Sequence, residues 1–85
     1  MSFHALFLPQ RPYFPVGSLR SAVCYPSRPE TYSDDEIKEA LQAVGLPHLI
    51  RRLDETLNWS MQLSGGEQQR VAFARTLLEL SLIHI

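Results

Sequence analysis

With 85 residues the chain can form at most one small domain, and chains of this size bury only a modest fraction of their surface. The composition is that of an ordinary globular protein, with 45% hydrophobic residues, 20% charged residues and a formal net charge of −1. This near-neutral balance gives no support for a nucleic-acid partner or for a basic membrane-surface patch. Cys24 is the only cysteine, which excludes an intrachain disulfide and suits a reducing compartment. The apolar runs are far too short to span a membrane.

The first third of the chain predicts a strand, a stiff loop and a short helix. The apolar run Ala5–Leu8 ends at Pro9, as a buried strand that enters a loop would. Three prolines between residues 9 and 15 make that loop extended and exclude a helix there. The spacing of apolar residues from Ser18 to Cys24 then predicts a brief amphipathic helix.

A longer helix is predicted to begin after Ser33. The sequence Ser33-Asp34-Asp35-Glu36 has the form of a capping box, in which a serine and a glutamate three residues later cap each other's backbone amides. Apolar residues recur behind it at helical spacing, and Gly45 is a natural helix stop.

The remaining chain predicts two further helices separated by a loop. One covers residues 47–53, residues 54–62 are expected to form a loop that contains Trp59, and the last helix begins at about Gly66. The predicted fold is therefore mostly helical, with one short N-terminal strand.

The most informative stretch is Leu63-Ser64-Gly65-Gly66-Glu67-Gln68-Gln69-Arg70. It predicts a glycine turn that opens directly into a helix. Ser64 supplies a hydroxyl, and Gly65 and Gly66 carry no Cβ, so an anion can approach their amides closely. The first turn of a helix also presents unpaired N–H groups and the positive end of the helix dipole. The turn is therefore a predicted anion site.

The same eight residues, followed by Val-Ala-Phe-Ala-Arg, resemble the signature motif of ABC-type ATPases. The resemblance implies that the chain, over residues 1–79, is a partial nucleotide-binding domain, whose parent has the α/β fold of the P-loop NTPases. It also implies that Ser64, Gly65, Gly66 and Glu67 contact an ATP molecule held by a second nucleotide-binding domain, so that two domains enclose two ATP molecules.

Gln10 opens the proline-rich loop and lies 54 residues before Ser64. Taken alone, it is either a solvent-facing loop amide or a functional group. Its distance in sequence from Ser64 and the residues around it resemble the glutamine loop of the same family. This resemblance implies that Gln10 contacts Mg²⁺ and the attacking water. An amide suits this role, because its carbonyl can bind a hard cation while its NH₂ group donates.

The sequences Leu8-Pro9-Gln10-Arg11-Pro12-Tyr13 and Gly17-Ser18-Leu19-Arg20, followed by Tyr25-Pro26, also resemble a subgroup of ABC transporters. This subgroup comprises the bacterial transporters associated with peptide antibiotics and cobalamin and the peroxisomal acyl-CoA half-transporters. Asn58-Trp59 resembles the Asp-Trp of that subgroup, with asparagine as a departure. The resemblance implies a permease domain, fused in the parent, and a position on the cytoplasmic face of a membrane. Such a protein would couple ATP binding and hydrolysis to transport.

Three arginines allow two interpretations each. Arg70 and Arg75 on the last helix are either solvated or ion-paired charges or functional groups, and Arg11 is either a rim charge or part of an interface with the membrane domain. The histidines His4, His48 and His84 are scattered and lack the spacing of a zinc site.

The chain contains no Gly-x-x-x-x-Gly-Lys-Ser/Thr phosphate loop, and no Asp-Glu-terminated strand follows the signature. We therefore expect the 85 residues alone to hydrolyse no ATP. Residues 80–85 match the translation of one frame of a common sequencing adaptor, so we expect a non-native tail; an apolar continuation of the helix is the alternative. Two other functions remain open at this point, a soluble ABC ATPase without a membrane domain and a small helical interaction module without a nucleotide role.

Overall fold

Helices make up most of residues 12–80, the part of the chain that the computed structural model describes. Strand β1 and helix α1 are followed by the longer helix α2 and a 3-10 helix, and strand β2 and the short helix α3 precede the final helix α4. Their bounds are β1 Gly17–Ser18, α1 Leu19–Cys24, α2 Asp34–Ala43, the 3-10 helix Pro47–Arg52, β2 Thr56–Leu57, α3 Trp59–Gln62 and α4 Gly65–Leu80. The strand predicted at Ala5–Leu8, the glutamine loop residues Gln10 and Arg11, and residues 81–85 of the predicted tail lie outside the described residues.

Helix α2 begins at the predicted capping box. The Ser33 hydroxyl accepts a hydrogen bond from the Glu36 amide at 3.2 Å, and the Glu36 carboxylate accepts one from the Ser33 amide at 2.6 Å. Two of the four amides that a helix start leaves unpaired are thereby satisfied.

The end of α2 is also the predicted one. Gly45 adopts a φ of +79°, a left-handed conformation in which a side chain would be strained. Its amide donates to the Gln42 carbonyl at 3.1 Å, and the Leu46 amide donates to the Leu41 carbonyl at 2.8 Å. This pair of bonds is the Schellman arrangement that closes a helix, and Leu41 and Leu46 are both buried beneath it.

The prediction of a loop over residues 54–62 is wrong. That segment contains β2, which pairs antiparallel with β1 in the register Gly17↔Leu57, and the one-turn helix α3. Trp59 holds the segment in place because its ring is fully buried and its indole N–H donates to the Glu55 carbonyl at 3.1 Å. Tertiary burial of one large side chain thus imposes order on a stretch whose sequence has no clear periodicity.

The core lies where α4 packs against α1 and α2. Burying apolar side chains from every helix on one shared face supplies most of the stabilisation in a domain of this size. The fully buried large side chains are Trp59, Leu19, Ile37, Leu41, Leu46, Leu49, Leu78, Val23 and Val71. This packing fixes the start of α4, and hence the glycine turn, relative to the rest of the described chain.

Candidate nucleotide-contacting site at the start of α4

The glycine turn begins a helix, as predicted, and the helix starts one residue earlier than expected, at Gly65. The Ser64 hydroxyl accepts from the Glu67 amide at 3.1 Å, and the Glu67 carboxylate accepts from the Ser64 amide at 2.9 Å. The Ser64 carbonyl accepts from the Gln68 amide at 2.9 Å, which is the first hydrogen bond of the helix. Ser64 and Glu67 therefore form a second capping box with the same chemistry as the one at Ser33.

His48 extends this cap from the 3-10 helix. Its Nε2 lies 3.1 Å from the second carboxylate oxygen of Glu67. The hydrogen bond from the Ser64 backbone amide, followed by the one from His48, holds the pKa of Glu67 below its ordinary value. Glu67 is therefore an anion that braces the turn from behind, with its two oxygens directed to Ser64 and His48.

Nothing inside the described chain requires glycine at positions 65 and 66. Neither residue has a positive φ, and a Cβ added at either one would meet no atom within 4 Å. Both residues are exposed at the start of α4, where the first amides have no acceptor within the helix. A helix start with two exposed, side-chain-free residues leaves the amides and the positive end of the dipole open to an anion.

The segment before the turn is held by Gln68. Its side-chain NH₂ group donates to the Ser60 carbonyl at 3.0 Å and to the Leu63 carbonyl at 3.2 Å. Leu63 itself is buried, so the backbone enters the turn from a fixed position. The turn is accordingly preorganised, and a ligand that binds there need not order it.

The two arginines of α4 differ sharply in their surroundings. Arg70 is exposed, whereas Arg75 is partly buried and donates to the Ala22 carbonyl and to the Tyr13 carbonyl, both at 2.7 Å. Its guanidinium carbon lies 4.8 Å from the centre of the Phe14 ring and 5.2 Å from that of Tyr25. Burial lowers the pKa of Arg75, although an arginine stays charged near neutral pH.

Of the four predicted contact residues, Ser64 and Glu67 cap the start of α4, and Gly65 and Gly66 are the exposed helix residues between them. The structure leaves the predicted Mg²⁺ contact of Gln10 untested, because Gln10 lies outside the described residues. Sequence reasoning missed the His48–Glu67 contact. It also missed the capping box, although the spacing Ser-x-x-Glu is the same signal that identified the box at Ser33.

Within residues 12–80, no group of three or more histidine, cysteine, aspartate or glutamate side chains is arranged to hold a metal ion. Over the same residues, each helix is too short or too polar to cross a membrane.

Comparison with known proteins decides the family. The ABC transporter family model matches residues 5–85. The chain belongs to the ABC transporter family. An uncharacterized ABC transporter ATP-binding protein of Synechocystis is 50% identical to it over 76 residues, covering 86% of the chain and 12% of the relative.

Two animal relatives agree with this assignment. ATP-binding cassette sub-family D member 3 of Mus musculus is 43% identical over 77 residues, which cover 81% of the chain and 12% of that protein. The lysosomal cobalamin transporter of Homo sapiens is 42% identical over 80 residues, covering 82% of the chain and 13% of that protein. The chain thus spans about an eighth of the length of these relatives. The predicted ABC family is confirmed, and the family implies a P-loop NTPase parent fold.

Proposed function

We propose that the chain is the signature-bearing part of the ATP-binding subunit of an ABC transporter. In this proposal Ser64, Gly65 and Gly66 contact the γ-phosphate of an ATP molecule held by a second nucleotide-binding domain. The observation that carries the proposal is the turn itself, where two glycines stand at exposed helix positions that neither packing nor backbone conformation reserves for glycine. Glycine in a helix costs roughly 0.5–1 kcal/mol relative to alanine, so a use outside the chain accounts for its presence.

The turn can act on a phosphate through groups that the cap leaves available. The Ser64 oxygen accepts from the Glu67 amide, and its own hydroxyl hydrogen remains to be donated. The amides of Gly65 and Gly66 supply further donors at the positive end of α4. Glu67 supports this arrangement from behind by fixing the Ser64 backbone, and its predicted contact with ATP remains part of the proposal.

The cofactors we propose are ATP, whose phosphate charge this turn would contact, and Mg²⁺, which would neutralise part of that charge. Gln10 would contact the Mg²⁺ and the attacking water, in keeping with an amide's ability to bind a cation through its carbonyl. The partners we propose are a second copy of the nucleotide-binding domain and a permease domain, with the ATPase on the cytoplasmic face of the membrane. The names of the relatives, which are transporters and transporter ATP-binding proteins, favour this over a soluble ABC ATPase and over a helical interaction module.

The test is the substitution Gly66→Asp in the complete transporter that carries this sequence. An aspartate in the first turn of a helix is favoured by the dipole and has open space here, so the fold should tolerate it. Its carboxylate would repel the incoming phosphate, so we expect hydrolysis and transport to be lost while ATP still binds the phosphate loop of its own domain. The matched control is Gln62→Asp, which adds the same charge at an exposed position on α3. Hydrolysis near the wild-type rate in Gly66→Asp would contradict the proposal.

A further inference from the structure

Arg75 joins α4 to a part of the chain that is distant in sequence, around β1 and α1. It projects from the helix that begins at the signature turn, and it reaches Ala22 in α1 and Tyr13 in the segment before β1, 53 and 62 residues away. The rings of Phe14 and Tyr25 lie against its guanidinium group. We call this set of contacts the Arg75 clamp; it comprises the guanidinium, the Tyr13 and Ala22 carbonyls, and the Phe14 and Tyr25 rings.

The acceptor in α1 has a specific need for this donor. Four residues after Ala22 the chain has Pro26, which carries no N–H, so the Ala22 carbonyl cannot receive the usual helical hydrogen bond. The Arg75 Nε–H supplies it at 2.7 Å. Leaving a buried carbonyl without a hydrogen-bond donor costs free energy, so the contact with Arg75 stabilises the packing of α1 against α4.

The second contact fixes the chain next to the proposed glutamine loop. A second nitrogen of the guanidinium donates to the Tyr13 carbonyl, and Tyr13 follows Gln10 by three residues in the sequence. Phe14 is buried beneath the guanidinium, and the Tyr13 and Tyr25 ring centres are 5.1 Å apart. Arg75 forms no ion pair with another residue of the described range 12–80; its partners there are carbonyl oxygens and aromatic rings.

We propose that Arg75 is a positioning residue that holds the segment after Gln10 in a fixed place relative to the signature helix. This inference rests on the proposed function. In that function Gln10 serves the ATP molecule of its own domain, whereas Ser64–Gly66 serve the ATP molecule of the partner. The Arg75 side chain would then make the Gln10 loop and the Ser64–Gly66 turn move together. Binding of ATP at one site would thereby set the geometry of the other site.

Lysine cannot replace arginine in this arrangement. The guanidinium donates from two different nitrogens of one planar group while the Phe14 and Tyr25 ring centres lie 4.8 and 5.2 Å from its carbon, whereas an ammonium group is a compact point charge without such a plane. Arg75→Lys therefore keeps the positive charge but loses the two-point hydrogen bonding and the ring contacts. The variant distinguishes an effect of positioning from an effect of charge alone.

The first measurement is a distance that does not depend on ATP. Spin labels are placed at Tyr13 and Met61, residues that are 62% and 77% exposed, in the complete transporter with the buried Cys24 replaced by alanine. The Tyr13 carbonyl remains available in the labelled protein, because the label replaces only the side chain. We expect a narrow distance distribution in the parent and in the control Arg51→Gln, and a broadened one in Arg75→Gln and Arg75→Lys. A distribution that stays narrow in Arg75→Lys overturns the proposal, and this variant carries the test if Arg75→Gln does not fold.

The second measurement is the hydrolysis of ATP by the same variants. Misplacing a group that positions the attacking water lowers kcat, whereas ATP binding to the phosphate loop is unaffected, so we expect kcat to fall by about tenfold to a hundredfold at an unchanged KM for ATP. An unchanged kcat, or a rise in KM that accounts for the whole loss, contradicts a positioning role. The Gly66→Asp result reports separately on the proposed function, so failure of that function and failure of the Arg75 clamp are distinguishable.

Discussion

The chain contains two capping boxes of the same chemistry, and only one of them lies at the proposed ATP contact. Ser33 caps α2 and Ser64 caps α4, each paired with a glutamate three residues later. Replacing either serine by alanine removes the hydroxyl acceptor and should destabilise the chain by about 1 kcal/mol, with a range of roughly 0.5–2 kcal/mol. The two substitutions are therefore matched in their structural effect.

Their effects on hydrolysis should differ widely. Ser64→Ala also removes a hydroxyl donor directed at charge that develops during phosphoryl transfer. Loss of one such preorganised donor lowers turnover by about 10²- to 10³-fold, which corresponds to about 3–4 kcal/mol. Ser33→Ala should leave the turnover of folded protein close to that of the parent, because Ser33 lies at the other helix.

The assay is the rate of ATP hydrolysis at saturating ATP in the complete transporter, with the free energy of unfolding of its complete nucleotide-binding domain measured alongside by urea denaturation. We expect similar losses of stability in the two variants and a loss of turnover in Ser64→Ala alone. Equal turnover in the two variants would refute the reasoning, because it would mean that Ser64 acts only as a helix cap.

Three further predictions concern stability. The pKa of Glu67 lies below its ordinary value of 4.5, so its ionised carboxylate stabilises the fold at pH values above 4.5. The difference in unfolding free energy between the unsubstituted protein and Glu67→Gln should therefore shrink as the pH falls below 4.5. Gly45→Ala should cost about 1–2 kcal/mol in urea denaturation because of its φ of +79°, whereas Gly65→Ala, which has no positive φ and open space, should stabilise the fold by up to about 1 kcal/mol. Trp59→Phe should cost about 1–3 kcal/mol, chiefly through lost buried volume, because the Glu55 carbonyl loses the indole donor but keeps the Leu19 amide; an unchanged denaturation midpoint would contradict that role for Trp59.

Local signals in the sequence predicted the helix boundaries well. The capping box at Ser33 and the left-handed Gly45 are encoded within a few residues, because helix caps are formed by neighbours in the chain. The start of α4 at the glycine turn belongs to the same class. The expected α/β parent follows from the family, while the described part is mostly helical with one two-stranded sheet.

Long-range contacts were not predictable in this way. The pairing of β1 with β2 joins residues about forty positions apart and involves two residues in each strand, too few to show a strand pattern. The contacts of Arg75 cross 53 and 62 residues, and its sequence setting on a helix fits a solvated charge equally well. At the candidate site, the helix start at the glycine turn was predicted from the sequence, whereas the support that His48 gives to Glu67 depends on how the 3-10 helix packs.

The central claim is that the turn at Ser64–Gly66 serves an ATP molecule bound by the other domain, and a mixed dimer tests it most directly. One subunit carries Gly66→Asp, and the other carries a substitution of the phosphate-loop lysine expected in the complete transporter. If the contact is made between subunits, both substitutions fall in one ATP site and the other site is intact. The mixed dimer should then hydrolyse ATP, although the homodimer of each variant is inactive. A mixed dimer as inactive as the two homodimers, with its composition verified, would contradict the account.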